Sequence, residues 1–438
     1  MEFLVKIISF LVVIGVIIFI HELGHFLVAK YCGVGVEKFS LGFGPKIFGF
    51  RRGETEYLIS AVPFGGYVKM VGEAGNAEDE EDKDQVPPEK SFTNKSFWQK
   101  AAIICAGSFM NIMLAVVALP VIFMVGISVP SFVENPPVVG YVSKDGTAFI
   151  KGVKKGDLIV AVNGVFVETW EAVEKNTVLS GENPVDFKFK RDSEEFTVTF
   201  VQEKDKDIGF YPVMPAKIGD VMKGSSASSA GLLSGDVIKT INGNVLTHWF
   251  ELQEYVQGAE EKNITISIER NGSEVTVTLA PVFNKESNRY IIGVTQGKDT
   301  IKKRYGFFEA IERGLEKVLE LAVLFFIVIK GLIAGVFSIK MLGGPIMIAQ
   351  VAGTAAATGV TELALLVAAL SLHIGILNLL PLPVLDGGLI FLLTLEKFRE
   401  RPFSEKFMNG VQQAGFVLLI TLMVVVTWND IMRLLGWG

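Results

Sequence analysis

Cysteine, histidine and net positive charge are all scarce in this 438-residue chain, which has two Cys, four His and a formal net charge of -6. Cys32 and Cys105 stand alone near or within apolar runs, so neither a disulfide framework nor a cysteine metal site is expected. The negative balance leaves no broad basic field, and nucleic acid is not expected as a partner. Charged residues make up only 20% of the chain against 50% hydrophobic, and the mean hydropathy is +0.43. That composition excludes a fully soluble protein and predicts one that lives in the lipid bilayer.

Long apolar runs are present at Phe3 to Ile20, Ala101 to Ile127, Leu363 to Leu380 and Phe416 to Trp428. Glu2 and the lack of a small-x-small site count against a cleaved leader over the first of them. Lys30, Lys38, Lys46, Lys95 and Lys100 follow the first run or precede the second, and Lys397, Arg399, Arg401 and Lys406 lie between the last two. Short loops rich in Lys and Arg stay cytoplasmic, which puts both termini and roughly 128–339 outside, the periplasmic side of a bacterial inner membrane. "EKFSLGFGPKIFGF" and "TEYLISAVPFGGYVKM" read as hairpins near the membrane, followed by the acidic linker "EAGNAEDEEDKDQVPPEK".

The outer segment repeats itself. Gly152 to Gly164, "GVKKGDLIVAVNG", recurs as Gly231 to Gly243, "GLLSGDVIKTING", and the same offset of 79 carries Trp170 onto Trp249. Each copy reads as a short helix or turn, a Gly-Asp turn, an alternating strand, an Asn-Gly hairpin turn and a helix opened near the Trp. The pattern resembles PDZ domains in tandem, which implies modules that bind a peptide or chain terminus by strand addition. Two small β-rich spacer domains are the alternative. His248, beside Trp249, reads as a surface or packing histidine.

The first run ends in "VIIFIHELGHFL", and an ionised side chain at mid-bilayer depth costs on the order of 3 kcal/mol, so this cluster requires a function. His21 and His25 are four apart and share one helical face, close enough for one metal ion, with Glu22 beside them. In an H-E-x-x-H pattern the histidines ligate zinc and the glutamate takes a proton from the attacking water. Counting about 18 residues from Phe3 at roughly 1.5 Å each puts His21 near the cytoplasmic edge of the hydrocarbon. A catalytic zinc needs a third protein ligand. Asp386 is the candidate, because Pro381, Pro383, Gly387 and Gly388 break the helix around it, and such breaks survive at membrane depth only inside protein or beside a wet cavity. A helix cap is the alternative role for Asp386.

"HELGH", "NLLPLPVLDGG" and Gly107-Ser108-Phe109-Met110-Asn111, with tandem PDZ domains between them, resemble the site-2 protease family of intramembrane zinc metalloproteases over essentially the whole chain. The resemblance implies His21, His25 and Asp386 as zinc ligands, Glu22 as general base, and Asn378 and Asn111 as lesser contributors near the site. It places His373 where the family has a polar residue that touches substrate. The family often has Pro where this chain has Ser108, which leaves the metal site intact and alters the local shape. The implied activity is cleavage of a peptide bond within the transmembrane helix of a single-span membrane protein. An anti-sigma factor in envelope stress signalling is the implied substrate, with signal-peptide remnants as a second.

The expected fold class is a polytopic α-helical membrane protein of about four transmembrane helices, with two inserted periplasmic α+β PDZ domains and a membrane-associated β-hairpin region. The first transmembrane helix is expected over 1–32, a cytoplasmic-side loop over 33–100, the second helix over 101–127, and the PDZ domains over 128–214 and 215–299. An amphipathic or interfacial helical segment follows over 300–360, including "LELAVLFFIVIKGLIAGVFSI", which would carry Asp386 to the wrong face if it spanned. The third transmembrane helix, with the Leu-Asp-Gly motif, is expected over 361–395, a cytoplasmic loop over 396–410, and the fourth helix over 411–438. A membrane-anchored scaffold and a metal transporter are the competing functions. An intact Glu22 argues against the first, and the lack of inverted repeats against the second.

Overall fold

The computed structural model describes residues 2–72, 87–180, 184–201, 208–284, 289–297, 299–335, 338 and 342–435. The chain divides into two compact units, Met1–Ile127 with Lys303–Gly438, and Ser128–Lys302. Most of the expected acidic linker, 73–86, lies outside the described residues.

Among the described residues four helices are long and apolar enough to cross a membrane: Phe3–Tyr31, Phe97–Val125, Val360–Asn378 and Lys406–Leu434. They coincide with the four apolar runs. The second begins at Ser96, whose hydroxyl accepts from the Gln99 amide while the Gln99 side chain accepts from the Ser96 amide, satisfying two of the otherwise orphaned donors. Gly375 of the third span lies so close to the second that a Cβ there would stand 2.8 Å from Ser108 O, and Ser371 Oγ donates to Asn111 O at 2.9 Å. The small residues let two backbones approach, and the hydroxyl ties them. Helix Phe307–Ile333 crosses the second span at Gly314, where a Cβ would meet Pro120 at 2.6 Å. Its Ala310, Gly314, Val318 and Gly331 are buried, while the bulky apolar Phe308, Leu319, Val323 and Phe326 are exposed.

Two expectations change. The third span ends at Asn378 rather than running to 395, and a separate helix, Asp386–Arg399, starts after a turn. Pro381 and Pro383 have no amide hydrogen to continue the helix, and Val384 takes φ +78°, a left-handed conformation that a β-branched residue adopts only under constraint. The two stretches after the first span form one long hairpin rather than separate hairpins. Val36–Arg52 pairs antiparallel with Thr55–Met70, with irregular register around Gly42 and Gly44, both at positive φ. Its base packs on Ala29 and Ile103, whereas Phe43, Ile47, Phe48 and Phe50 farther along are exposed.

Each repeat of the outer unit builds its own core around its Trp. In the second, Ser273–Leu279, Ile264–Arg270, Val237–Ile241, Ala216–Val221 and Val294–Gln296 lie in that order in one antiparallel sheet, over which helix Trp249–Ala259 packs. In the first, Leu158–Val162, Val185–Arg191 and Glu194–Phe200 form the corresponding sheet, with Val139–Val142 paired to Phe210–Pro212. The Asn-Gly turns have φ +49° at both Asn163 and Asn242, the paired left-handed residues of a tight hairpin.

The Gly-Asp motif has a structural reason. Asp236 accepts from the Leu233 amide at 2.8 Å and from Arg270 Nε and Nη2 at 2.7 Å each. Asp157 does the same with the Lys154 amide and Arg191. Burial alone would raise the Asp236 carboxyl, but Arg270 and the Leu233 amide outweigh it and hold the group below its ordinary 3.8. A carboxylate with a depressed pKa stabilises above that value and loses the contribution as pH falls through it. The Asp236→Ala variant of the 128–302 unit is therefore expected to be less stable than wild type, because the Leu233 amide and the Arg270 guanidinium lose their shared acceptor. Urea melts at pH 7 and pH 3 check this, with a smaller deficit at pH 3.

Candidate active site

His21 and His25 lie on the first span, Glu2–Tyr31, at helical spacing, and their Nε2 atoms are 3.2 Å apart. Asp386, in the first turn of its helix, faces both, with Oδ2 at 3.6 Å from His21 Nε2 and Oδ1 at 3.8 Å from His25 Nε2. The three ligand atoms lie within 4.8 Å of one another, the one such cluster among the described residues. Two nitrogens bound tetrahedrally at about 2.0–2.1 Å stand roughly 3.3 Å apart, so the imidazoles are already spaced for zinc.

The far nitrogens are anchored too. His25 Nδ1 donates to Ile103 O at 2.8 Å, which fixes the tautomer that leaves Nε2 with a free lone pair. The Asn111 amide lies 3.4 Å from His21 Nδ1, and its buried Oδ1 has no partner as oriented. Exchanging the amide O and N, an assignment only the hydrogen-bond network can make, turns Oδ1 into the acceptor for His21 Nδ1–H. Gly107 floors the cluster, since a Cβ there would stand 2.3 Å from His25 Nε2 and 2.8 Å from His21 Nε2. The donors, their spacing, their tautomers and this cradle all fit a zinc ion.

Glu22 is 8% exposed and packs against the hairpin, where a Cβ on Gly66 would stand 2.8 Å from its Cγ. The approach of Asp386 depends on its neighbours. A Cβ on Gly387 would meet Leu379 O at 2.2 Å, and one on Gly388 would meet Leu382 O at 2.1 Å, so only glycine lets the helix start against the preceding turn.

His373 Nε2 is 3.3 Å from Leu321 O and its ring stacks on Phe325, so it ties the third span to helix Phe307–Ile333. Asn378 is the last residue of the third span and is half-buried. His248 is fully buried and caps helix Trp249–Ala259, with Nδ1 accepting from the Phe250 amide at 3.1 Å and the ring stacked on Tyr141 of the first repeat. It is therefore a packing histidine and not a surface one, and burial pushes its pKa down to about 4.

Sequence reasoning missed Ser108 as a partner of the site. Its Oγ donates to Asp386 Oδ2 at 2.7 Å across 278 positions of sequence. The G-x-x-x-N spacing does put Gly107, Ser108 and Asn111 near one another on a helix, but nothing local says where Asp386 arrives.

Apolar spans, an H-E-x-x-H pair and a carboxylate brought beside it define a membrane-embedded metallopeptidase. The profile of Peptidase family M50 matches residues 9–422. The chain is 36% identical to a protein named Regulator of sigma-E protease RseP from Escherichia coli K12, over 99% of this chain and 100% of that one. It is 32% identical to a putative zinc metalloprotease of Vibrio cholerae, over 98% of each. A PDZ domain of an SdrC-like protein from Listeria monocytogenes is 20% identical over 18% of this chain and 84% of that chain, with a TM-score of 0.17. The chain belongs to peptidase family M50.

Proposed function

We propose that this protein is a zinc-dependent intramembrane endopeptidase that hydrolyses a peptide bond within the transmembrane helix of a single-span membrane protein. His21, His25 and Asp386 hold the metal and Glu22 is the general base. The observation that carries the reading is the meeting within 4.8 Å of two imidazoles, on a helix long and apolar enough to cross a membrane, with the carboxylate of Asp386, and a buried Glu22 next to His21 in sequence. Zinc held there supplies Lewis acidity toward a water molecule and a peptide carbonyl. Glu22 takes the proton from the attacking water and passes it to the departing amine. The Ile103 carbonyl and Asn111 hold the imidazoles in the ligating tautomer, and Gly107 leaves room between them.

A helical peptide bond hides its carbonyl, so the substrate unwinds before it is cut. The hairpin whose Gly66 borders Glu22 supports pairing with the unwound segment as an added strand. The loop charges support an active site near the cytoplasmic side and periplasmic PDZ domains, which take a peptide or chain terminus and admit only substrates already trimmed. The Escherichia coli relative's name supports an anti-sigma factor as substrate, in regulated intramembrane proteolysis during envelope stress, with signal-peptide remnants as a second class.

The test uses the full chain reconstituted with single-span substrates. We expect one cut inside the span, loss of cleavage on chelation, return on adding Zn2+, and at least about tenfold slower cutting of regular polyleucine spans than of spans with Gly or Pro. Cleavage that survives full chelation, or equal rates on both kinds of span, overturns the proposal.

A further inference from the structure

We infer that Ser108 is a positioning residue of the hydrolytic site, whose hydroxyl holds the Asp386 carboxylate in the orientation from which it completes the metal-binding trio. The inference rests on the metal assignment above and adds a residue to it. Ser108 is fully buried on the second span, and its Oγ lies 2.7 Å from Asp386 Oδ2. That is the short contact of a hydroxyl donating to a charged oxygen, about twice as strong as a neutral pair. It is the one hydrogen bond made to the Asp386 carboxylate among the described residues.

Hydroxyls inside helices usually donate to the carbonyl four residues back. This chain follows that habit elsewhere, with Thr394 to Ile390 O, Thr421 to Val417 O and Thr427 to Met423 O. Ser108 instead turns its hydroxyl across to another helix. The backbone that delivers it is rigid, since Gly375 closes on Ser108 O and Ser371 Oγ holds Asn111 O one turn on. The receiving backbone is fixed as well, by the close approaches of Gly387 and Gly388. What these contacts leave undetermined is the rotation of the Asp386 side chain about its own bonds. Ser108 sets that rotation, with Oδ2 held and both carboxylate oxygens turned toward the imidazoles at 3.6 and 3.8 Å. An outer partner of this kind typically changes metal affinity 10- to 100-fold when removed.

The experiment compares wild type, Ser108→Ala and Ser108→Thr as full-length protein, and reads the rate at which a colorimetric chelator strips zinc. Ser108→Ala is expected to lose zinc about tenfold faster, and Ser108→Thr to stay within about twofold of wild type. Because the hydroxyl also bonds Asp386 without metal, metal-stripped Ser108→Ala should melt below metal-stripped wild type, and a wider gap between the zinc-loaded proteins reports the part that acts through the metal. In an Asp386→Ala background the Ser108→Ala change should have no further effect on zinc loss. That double variant decides the matter even if Ser108→Thr does not fold. Wild-type zinc retention by Ser108→Ala, or an equal acceleration in the Asp386→Ala background, overturns the inference. Failure of the wild type to bind zinc at all would instead sink the metal assignment.

Discussion

Glu22→Gln is expected to keep zinc at the wild-type ratio and to cut a single-span substrate about 10³-fold more slowly, the scale of losing a positioned general base. The side chain is buried and follows His21 on the same helix, yet it is not one of the three groups that converge. Replacing its carboxylate by an amide of the same shape preserves the packing against Gly66 while removing the proton acceptor. The kinetic signature is a fall in kcat with little change in KM, because the loss lies in the transition state. Metal analysis and cleavage on one preparation separate this from the competing functions. A scaffold that only binds peptides would be indifferent to the change, and a transporter would show altered metal movement with no peptide cleavage to lose. Zinc loss in Glu22→Gln, or near-normal cleavage, would show that the glutamate is not the base.

The features readable in the sequence are those carried by short-range order. His21 and His25 are one helical turn apart whatever the rest of the chain does, and the repeat at an offset of 79 predicted both Asn-Gly turns and a helix opening near each Trp. Asp386 was visible because Pro and Gly around a lone carboxylate in an apolar run have few uses. What stayed hidden depends on contacts between distant segments. The two strands after the first span pair with each other over their whole length through a register that shifts at glycines, and no alternation within either strand encodes that partnership. The prolines and glycines announced a break around Asp386, but the boundary at 395 ran past it because the hydrophobicity continues through Leu379 to Leu385 while the helix ends at Asn378. Ser108 looked incidental, since its partner is 278 positions away. The sequence left His248 as either a surface or a packing histidine, because the ring it stacks on, Tyr141, belongs to the other repeat.

Gly107→Ala is expected to abolish zinc binding and to lower cleavage by at least about 100-fold, although alanine is the better helix former and the residue touches no proton in the reaction. A Cβ at 2.3 Å from His25 Nε2 and 2.8 Å from His21 Nε2 would fall among the atoms that bind the metal, closer than real Cβ contacts allow. Rotating the imidazoles away would break the His25 Nδ1 bond to Ile103 O. Moving the second span instead would disturb its contacts with Gly24, whose own Cβ would already stand 2.3 Å from Ala106 O, and with Gly375. The site therefore yields before the fold, and the metal-stripped variant should melt within a few degrees of the metal-stripped wild type. The sharpest reading combines it with Glu22→Gln. If Gly107 acts through the metal, the single variant loses both zinc and activity whereas Glu22→Gln loses activity alone. Zinc retained at full stoichiometry by Gly107→Ala would mean that the imidazoles do not meet at that point, and the three-ligand geometry would have to be abandoned.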